Sequence, residues 1–309
     1  MANNIVELQN RPENIKMLKA MRHLYSKVGK LTKYYFIFCV LFPIVISFAK
    51  PFISSEDYQV LFHFMIAYNL LSLMAGLWLE CKIKKERVLA AKIQQQFDCN
   101  VFELQWNRYT FGAQPSLEDI NSNAKSSNDE DFLNWYDRDV DIVDRMLAVI
   151  ICQRINLTYD VALRKKFLCS LTIISIIILI IILGIAFYED EGLRTTIVFV
   201  AVPLIPVIRW FFSTRKANSD NIEKCERIKK IIDDYLEEYR NNGIVFSDID
   251  LCEIQNCIYD HRKTAFKIPD FIYNKMRSKQ EEATHITVGE LITRYINCLL
   301  YTSPSPRDS

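Results

Sequence analysis

The chain has 309 residues, 50% of them apolar and 24% charged, and 38 basic residues nearly cancel 37 acidic ones to leave a net charge of +1. That balance provides no basic footprint for nucleic acid, and the bulk composition is that of an ordinary soluble protein. Seven glycines, with no Walker loop, G-x-G-x-x-G, H-E-x-x-H or G-x-S-x-G, leave little material for a phosphate-cradling loop or a familiar catalytic centre.

Residues 1–33 hold no apolar run of the signal-peptide kind, so cleavage or export of the amino terminus is not expected. From Pro12 onward Leu18, Met21, Tyr25 and Val28 recur at helical spacing, with Lys16, Lys19, Arg22, Lys27 and Lys30 on the other side. This predicts a cytoplasmic N-terminal amphipathic helix. Two placements stay open for it, on the inner membrane surface or packed on a cytoplasmic domain.

Residues 34–80 predict the first transmembrane hairpin, with spans at about 34–52 and 58–79 and a short loop at 53–57. Pro43 is expected to kink the first span. In the second, Asn69, Ser72 and Gly76 share one helix face, a pattern that suits close helix packing in lipid better than pore lining.

Residues 81–166 predict cytoplasmic stalks and a central lobe. Lys82, Lys84, Lys85 and Arg87 mark the boundary, and Ile83, Ala90, Ile93 and Phe97 carry an apolar stripe onward as a stalk. The alternation Val101-Phe102-Glu103-Leu104-Gln105-Trp106 predicts a short strand or extended segment, and 121–130 a flexible loop. Ile142, Met146, Val149 and Ile150 then begin a second stalk that feeds the next span.

Residues 167–214 predict the second hairpin, with spans at about 167–188 and 195–214. Phe167–Tyr188 is free of charge over its whole length, and at ~1.5 Å rise per residue it covers the ~30 Å hydrocarbon core. An acidic loop, 189–192, follows. Pro203 and Pro206 should bend or locally unwind the fourth span, which makes them candidate gating residues. Basic residues fix the orientation: six in 16–33, four in 82–87, three in 164–166 and two in 215–216, against only Lys50 and Arg194 in the short loops. Both termini and the central lobe are therefore expected in the cytoplasm.

Residues 215–297 predict a cytoplasmic helical region. Ile222, Cys225, Ile228, Ile232, Tyr235 and Tyr239 are spaced by three or four, Asn241-Asn242-Gly243 makes a stop, and Ser247-x-x-Asp250 opens another helix that Ile268-Pro269-Asp270 interrupts. Residues 298–309 resemble the translation of a common transposase sequencing adapter and are set aside, so the natural carboxyl end is expected to lie outside the sequence. The fold class is thus a mainly α membrane protein, with four transmembrane helices as two hairpins and a mostly helical cytoplasmic domain built from the central insertion and the C-terminal helices.

Residues with chemistry are few. Cys252, Cys257 and His261 are three possible zinc ligands without a fourth, and Asp137, Asp139, Asp141 and Asp144 read better as a solvated helix entry than as a metal site. No catalytic residue, metal site or cofactor is assigned, and no enzyme activity is expected. The distinctive set is Trp106, Trp135, Tyr136, Gln153, Arg154, Asn156 and Arg164, with Asn107, Asn134, Tyr159 and Asp160 beside them. Aromatic faces stack bases, arginine forks bind phosphate and amides read base edges, so these residues could form a nucleotide pocket. The competing possibility is that they are core and structural contacts.

Gln9-Asn10, Leu24-Tyr25-Ser26, Ile93-Gln94-Gln95-Gln96-Phe97-Asp98, Val101 to Asn107, Asn134-Trp135-Tyr136, Cys152-Gln153-Arg154-Ile155-Asn156, Ile254-Gln255 and Ile268 to Tyr273, in this order around four apolar runs, resemble the SMODS-associated four-transmembrane effectors. The resemblance covers nearly all residues before Cys298. It implies a bacterial inner-membrane effector of antiphage signalling, embedded in lipid and functionally associated with a nucleotidyltransferase that makes a cyclic oligonucleotide. The implied action is pore formation or membrane disruption that arrests or kills the infected cell, by a homo-oligomer. The alternative is a small constitutive channel or transporter with a cytoplasmic regulatory domain.

Overall fold

The computed structural model describes residues 3–42, 45, 58–125, 128–188, 202–242, 246–269, 272, 275, 282–283 and 285–295. Pro43, the loops expected at 53–57 and 189–192, the start of the fourth run at 195–201, Gly243, Asp270 and the tail 298–309 lie outside them. Among the described residues every regular element is helical and no strand occurs.

Helix α1 (Ile5–Gln9) leads into α2 (Pro12–Tyr35), which begins with a proline where no N–H is needed. α2 continues as a π-helical segment, Phe36–Leu41, and runs antiparallel to α3 (Tyr58–Phe102). The pairing is fixed along its length by Asn100 to Asn14 at 3.2 Å, Tyr25 to Gln94 at 3.4 Å, Lys27 to Glu86 at 2.5 Å and Tyr35 to Glu80 at 3.0 Å. Leu18, Leu24 and Val28 are fully buried, so the apolar face of this amphipathic helix is packed on the protein. Deeper in the apolar zone the Cys39 thiol donates to the Ser72 carbonyl at 3.5 Å. A side chain on Gly76 would meet Cys39 and Tyr35 at 3.4 Å, so the small residues of this face serve close packing.

Two short helices, α4 (Arg108–Phe111) and α5 (Leu117–Asn123), and 3-10 turns at Asp129–Phe132 and Arg138–Ile142 form the central lobe. α6 (Arg145–Tyr188) and α7 (Val202–Asn242) make the second antiparallel hairpin, tied by Arg154 to Asp233 at 2.6 Å, Lys165 to Glu226 at 2.5 Å and Arg215 to Thr172 at 2.7 Å. α8 (Asp248–Thr264) opens on the expected Ser247–Asp250 capping box and lies between the two hairpins, bonded to both. Phe36 and Trp210, with ring centroids 5.0 Å apart, join the hairpins again where the apolar runs begin.

Three expectations are corrected. Val101 and Phe102 are helical, not extended: both are buried on the stripe that Ala90, Ile93 and Phe97 begin, and this packing overrides the local alternation. The chain leaves the helix at Glu103, at a φ of 57°. The loop expected at 121–130 begins as α5 and ends as a 3-10 turn, because the Ser116–Asp119 capping box and buried Ile120 and Phe132 hold both flanks. Pro203 and Pro206 both lie within the continuous helix α7, so local unwinding is not what the backbone does there.

One helix among the described residues, Ile66–Phe102, is long and apolar enough to cross a bilayer. It exposes Leu70, Leu71, Met74 and Trp78 by 60–64%, and the apolar part of α6 likewise exposes Ile173, Ile177 and Ile180, as α7 does Ile205 and Phe212. Contiguous apolar surface of this extent needs a cover of lipid or protein.

Candidate functional site

Five of the seven residues that looked most like recognition groups fall into two neighbouring places. The first is a sealed polar network. Asp98, fully buried on α3, accepts from the Tyr136 hydroxyl at 2.6 Å, from Gln255 at 2.9 Å and from the Arg262 guanidinium. Gln255 also donates to Gln95 at 3.0 Å, and Gln153 donates to Gln255 at 3.1 Å and to the Leu251 carbonyl at 3.0 Å. Burial pushes the Tyr136 hydroxyl well up, which keeps it a neutral donor. Beside this network Gln9 exchanges two hydrogen bonds with the Tyr136 backbone, and Asn10 bonds to Asn134, whose φ of 53° an asparagine tolerates. These groups hold three helices and the central lobe in register.

The second place is a cavity of about 620 Å³ against that network. Met21, Arg22, Tyr25 and Ser26 line it from α2, Gln94 from α3, Trp135 from the central lobe, and Asn156, Tyr159, Asp160 and Arg164 from α6. α8 contributes His261 and Arg262, and Ala265–Ile268 closes one side as a non-helical strap. Asn156, Asp160 and Arg164 share the cavity because a spacing of four puts them on one helix face. The pocket lies just above Phe167, where the third apolar run starts.

Asp160 and Arg164 organise its floor. Arg164, 4% exposed, donates to Asp160 at 2.5 and 3.2 Å, to Asn218 of α7 at 2.7 Å and to the Phe266 carbonyl of the strap at 3.1 Å. His261 completes the set, its Nε2 2.7 Å from Asp160. Burial alone would raise the Asp160 carboxyl, but the Arg164 guanidinium and His261 together hold it well below the usual carboxylate range. Arg87 clamps the same strap from α3, donating to the Lys263 and Ala265 carbonyls at 3.0 and 3.3 Å.

Of the residues singled out from sequence, Trp135, Asn156 and Arg164 line the cavity. Tyr136 and Gln153 sit behind its wall in the sealed network. Trp106 and Arg154 are not brought to it. Trp106 donates to the Gly112 carbonyl at 2.9 Å and packs edge-on against Phe111, and Arg154 is ion-paired with Asp233. Tyr159 and Asp160, named beside that set, also line the cavity, whereas sequence reasoning missed Arg22, Tyr25, His261 and Arg262, since only the fold brings α2 and α8 to α6. The spacing Asn156–Asp160–Arg164 was the available signal.

Ligand atoms of Asp160, Cys225 and His261 lie within 4.8 Å of one another. A cation there would compete with the Arg164 guanidinium for the same carboxylate, and burial pushes the Cys225 thiol up to about 12, so the donor set favours the ion-pair cluster over a metal. Cys252 and Cys257 are not part of this group.

The SMODS-associating 4TM effector domain family matches residues 3–291. A probable CBASS effector molecule of Bacillus cereus (strain VD146) is 26% identical over 308 residues, covering 95% of this chain and 99% of that protein. No solved structure matches.

Proposed function

The chain belongs to the SMODS-associating 4TM effector family, and from that premise we propose that it is an inner-membrane effector of antiphage signalling, switched by a cyclic oligonucleotide bound in the cavity. The observation that carries this is the cavity itself. Its volume of about 620 Å³ is within the range of small-molecule sites, and its lining holds four basic side chains against one acidic, with Tyr25, Trp135 and Tyr159 as stacking faces. A nucleotidyltransferase is the expected source of the ligand.

In this reading each apolar run continues from a cytoplasmic helix, both termini are cytoplasmic, and the four runs form two membrane hairpins. A ligand in the cavity touches α2, α3 and α6 directly and reaches α7 through the Arg164–Asn218 bond. It can shift the membrane helices only through different affinity for two states, and a ten-thousandfold preference corresponds to roughly 5.5 kcal/mol. Charge-assisted contacts and base stacking at ~1–3 kcal/mol per base reach that order. The shift opens a pore or disrupts the bilayer, with several copies assembling because four helices barely enclose an aqueous path. Pro203 and Pro206, in the fourth run, are the gating residues of this scheme.

Dye release from liposomes carrying the purified chain tests it. A cyclic oligonucleotide should trigger release, and Pro203→Ala with Pro206→Ala should blunt release without weakening binding. Release that is constant with or without nucleotide would favour a constitutive channel instead.

A further inference from the structure

We infer that Arg22 is the residue on which the cavity receives a phosphate of its ligand, an assignment that rests on the cyclic-oligonucleotide function proposed above. The three arginines of the lining differ in what they already hold. Arg164 directs its donors to Asp160, Asn218 and the Phe266 carbonyl, and Arg262 is ion-paired with Asp98 behind the wall. Arg22 makes neither an ion pair nor a hydrogen bond among the described residues. Its guanidinium lies over the Phe132 ring, 4.2 Å from the centroid.

That contact seats the cation on the ring without using an N–H group in a hydrogen bond, so its donors can turn to an anion. Phe132 is 1% exposed and held in a 3-10 turn, so this lining arginine rests on a buried platform. Tyr25 follows three residues later on the same helical face, and Trp135 three residues after Phe132, which places stacking surfaces beside the cation. A phosphate drawn to Arg22 therefore meets a charge with no acid to displace. At Arg164 it would have to compete with the Asp160 carboxylate.

The location also says what occupancy does. α2 runs unbroken to Tyr35 and on through Phe36–Leu41, so a ligand held by Arg22 acts on the first hairpin. The same ligand, resting against Asn156 and Arg164, acts on the second. It becomes a tie between hairpins that are otherwise joined at this level through α8.

Calorimetry on the full chain in detergent, with cyclic di-AMP, cyclic di-GMP and cyclic tri-AMP as probes at low and high salt, tests the assignment. For whichever probe binds, Arg22→Gln and Arg22→Ala should weaken it by about 10- to 100-fold and flatten its salt dependence. Arg22→Lys should recover most of the loss. A probe that binds Arg22→Gln as tightly as the parent, with the same salt dependence and unchanged thermal unfolding, overturns the role of Arg22 and leaves the nucleotide function standing. If the parent chain binds none of the three, the proposed function fails and this assignment fails with it.

Discussion

Two clusters of polar groups sit side by side between the hairpins, and they differ in what surrounds them. Asp98 is fully buried and meets Tyr136, Gln255 and Arg262 inside the wall, and of these partners only Arg262 also borders the cavity. Asp160 is 28% exposed, is held by Arg164 and His261, and opens on the cavity. A buried charge whose partners are all internal fixes one arrangement of the helices. A pair at a cavity edge can exchange a partner for a ligand, so the same chemistry serves register in one place and response in the other.

Breaking the sealed cluster should have the largest effect. Asp98→Ala leaves Arg262 without its partner and should lower stability by about 3–5 kcal/mol, read as a large fall in thermal unfolding temperature with loss of folded yield. An Asp98→Ala chain as stable as the parent would erase the distinction between the two clusters.

Next comes Asp160→Asn, which weakens two charge-assisted contacts and should remove about 1.5–3 kcal/mol at neutral pH. The sign of its pH dependence follows from the depressed Asp160 carboxyl. Its contribution is fully present above the unfolded carboxylate value, about pH 4, and is lost as pH falls through the lower folded value. Unfolding curves of the parent and Asp160→Asn should therefore stay separated from about pH 5 to about pH 8 and converge in stronger acid.

Asn218→Ala removes one bond between Arg164 and α7 and should lower stability by about 1 kcal/mol, yet it should blunt nucleotide-triggered dye release while affinity holds. Normal release would mean that α7 receives the signal elsewhere. The smallest effect is expected at Arg154→Ala, where the partner Asp233 is 43% exposed and the loss should not exceed about 1 kcal/mol. Nucleotide affinity should not change, because that pair lies on the outer hairpin contact, away from the cavity lining.

Much of the helical framework was legible in the sequence because it rests on periodicity and capping. The stripe Ile83–Phe97, the Met146–Ile150 part of the stalk, the helix at Ile222–Tyr239 and the Ser247 cap all act locally, whereas Ile142 ends a 3-10 turn with its side chain exposed. At Val101 and Phe102 the alternation misled because it carries less weight than the long buried stripe those two residues extend, while Leu104 to Trp106 are non-helical. The glutamines misled for a different reason. Gln153 has the chemistry of a base reader, but Leu251 and Gln255, its partners, are about a hundred residues away, and only the fold shows that they satisfy its amide nitrogen internally. Arg22 looked like one more cation on a solvated face, since neither Phe132 nor the cavity is visible from α2 alone.

Photo-crosslinking of the full chain with an 8-azidoadenine cyclic dinucleotide, followed by peptide mapping, tests the location of the ligand most directly. Label is predicted on the α2 peptide holding Arg22 and Tyr25, on the peptide holding Trp135, or on the Ala265–Ile268 strap, and it should be suppressed by excess unlabelled nucleotide. Competable label confined to the Arg154–Asp233 contact or to the Trp106–Phe111 cluster would contradict a ligand in this cavity.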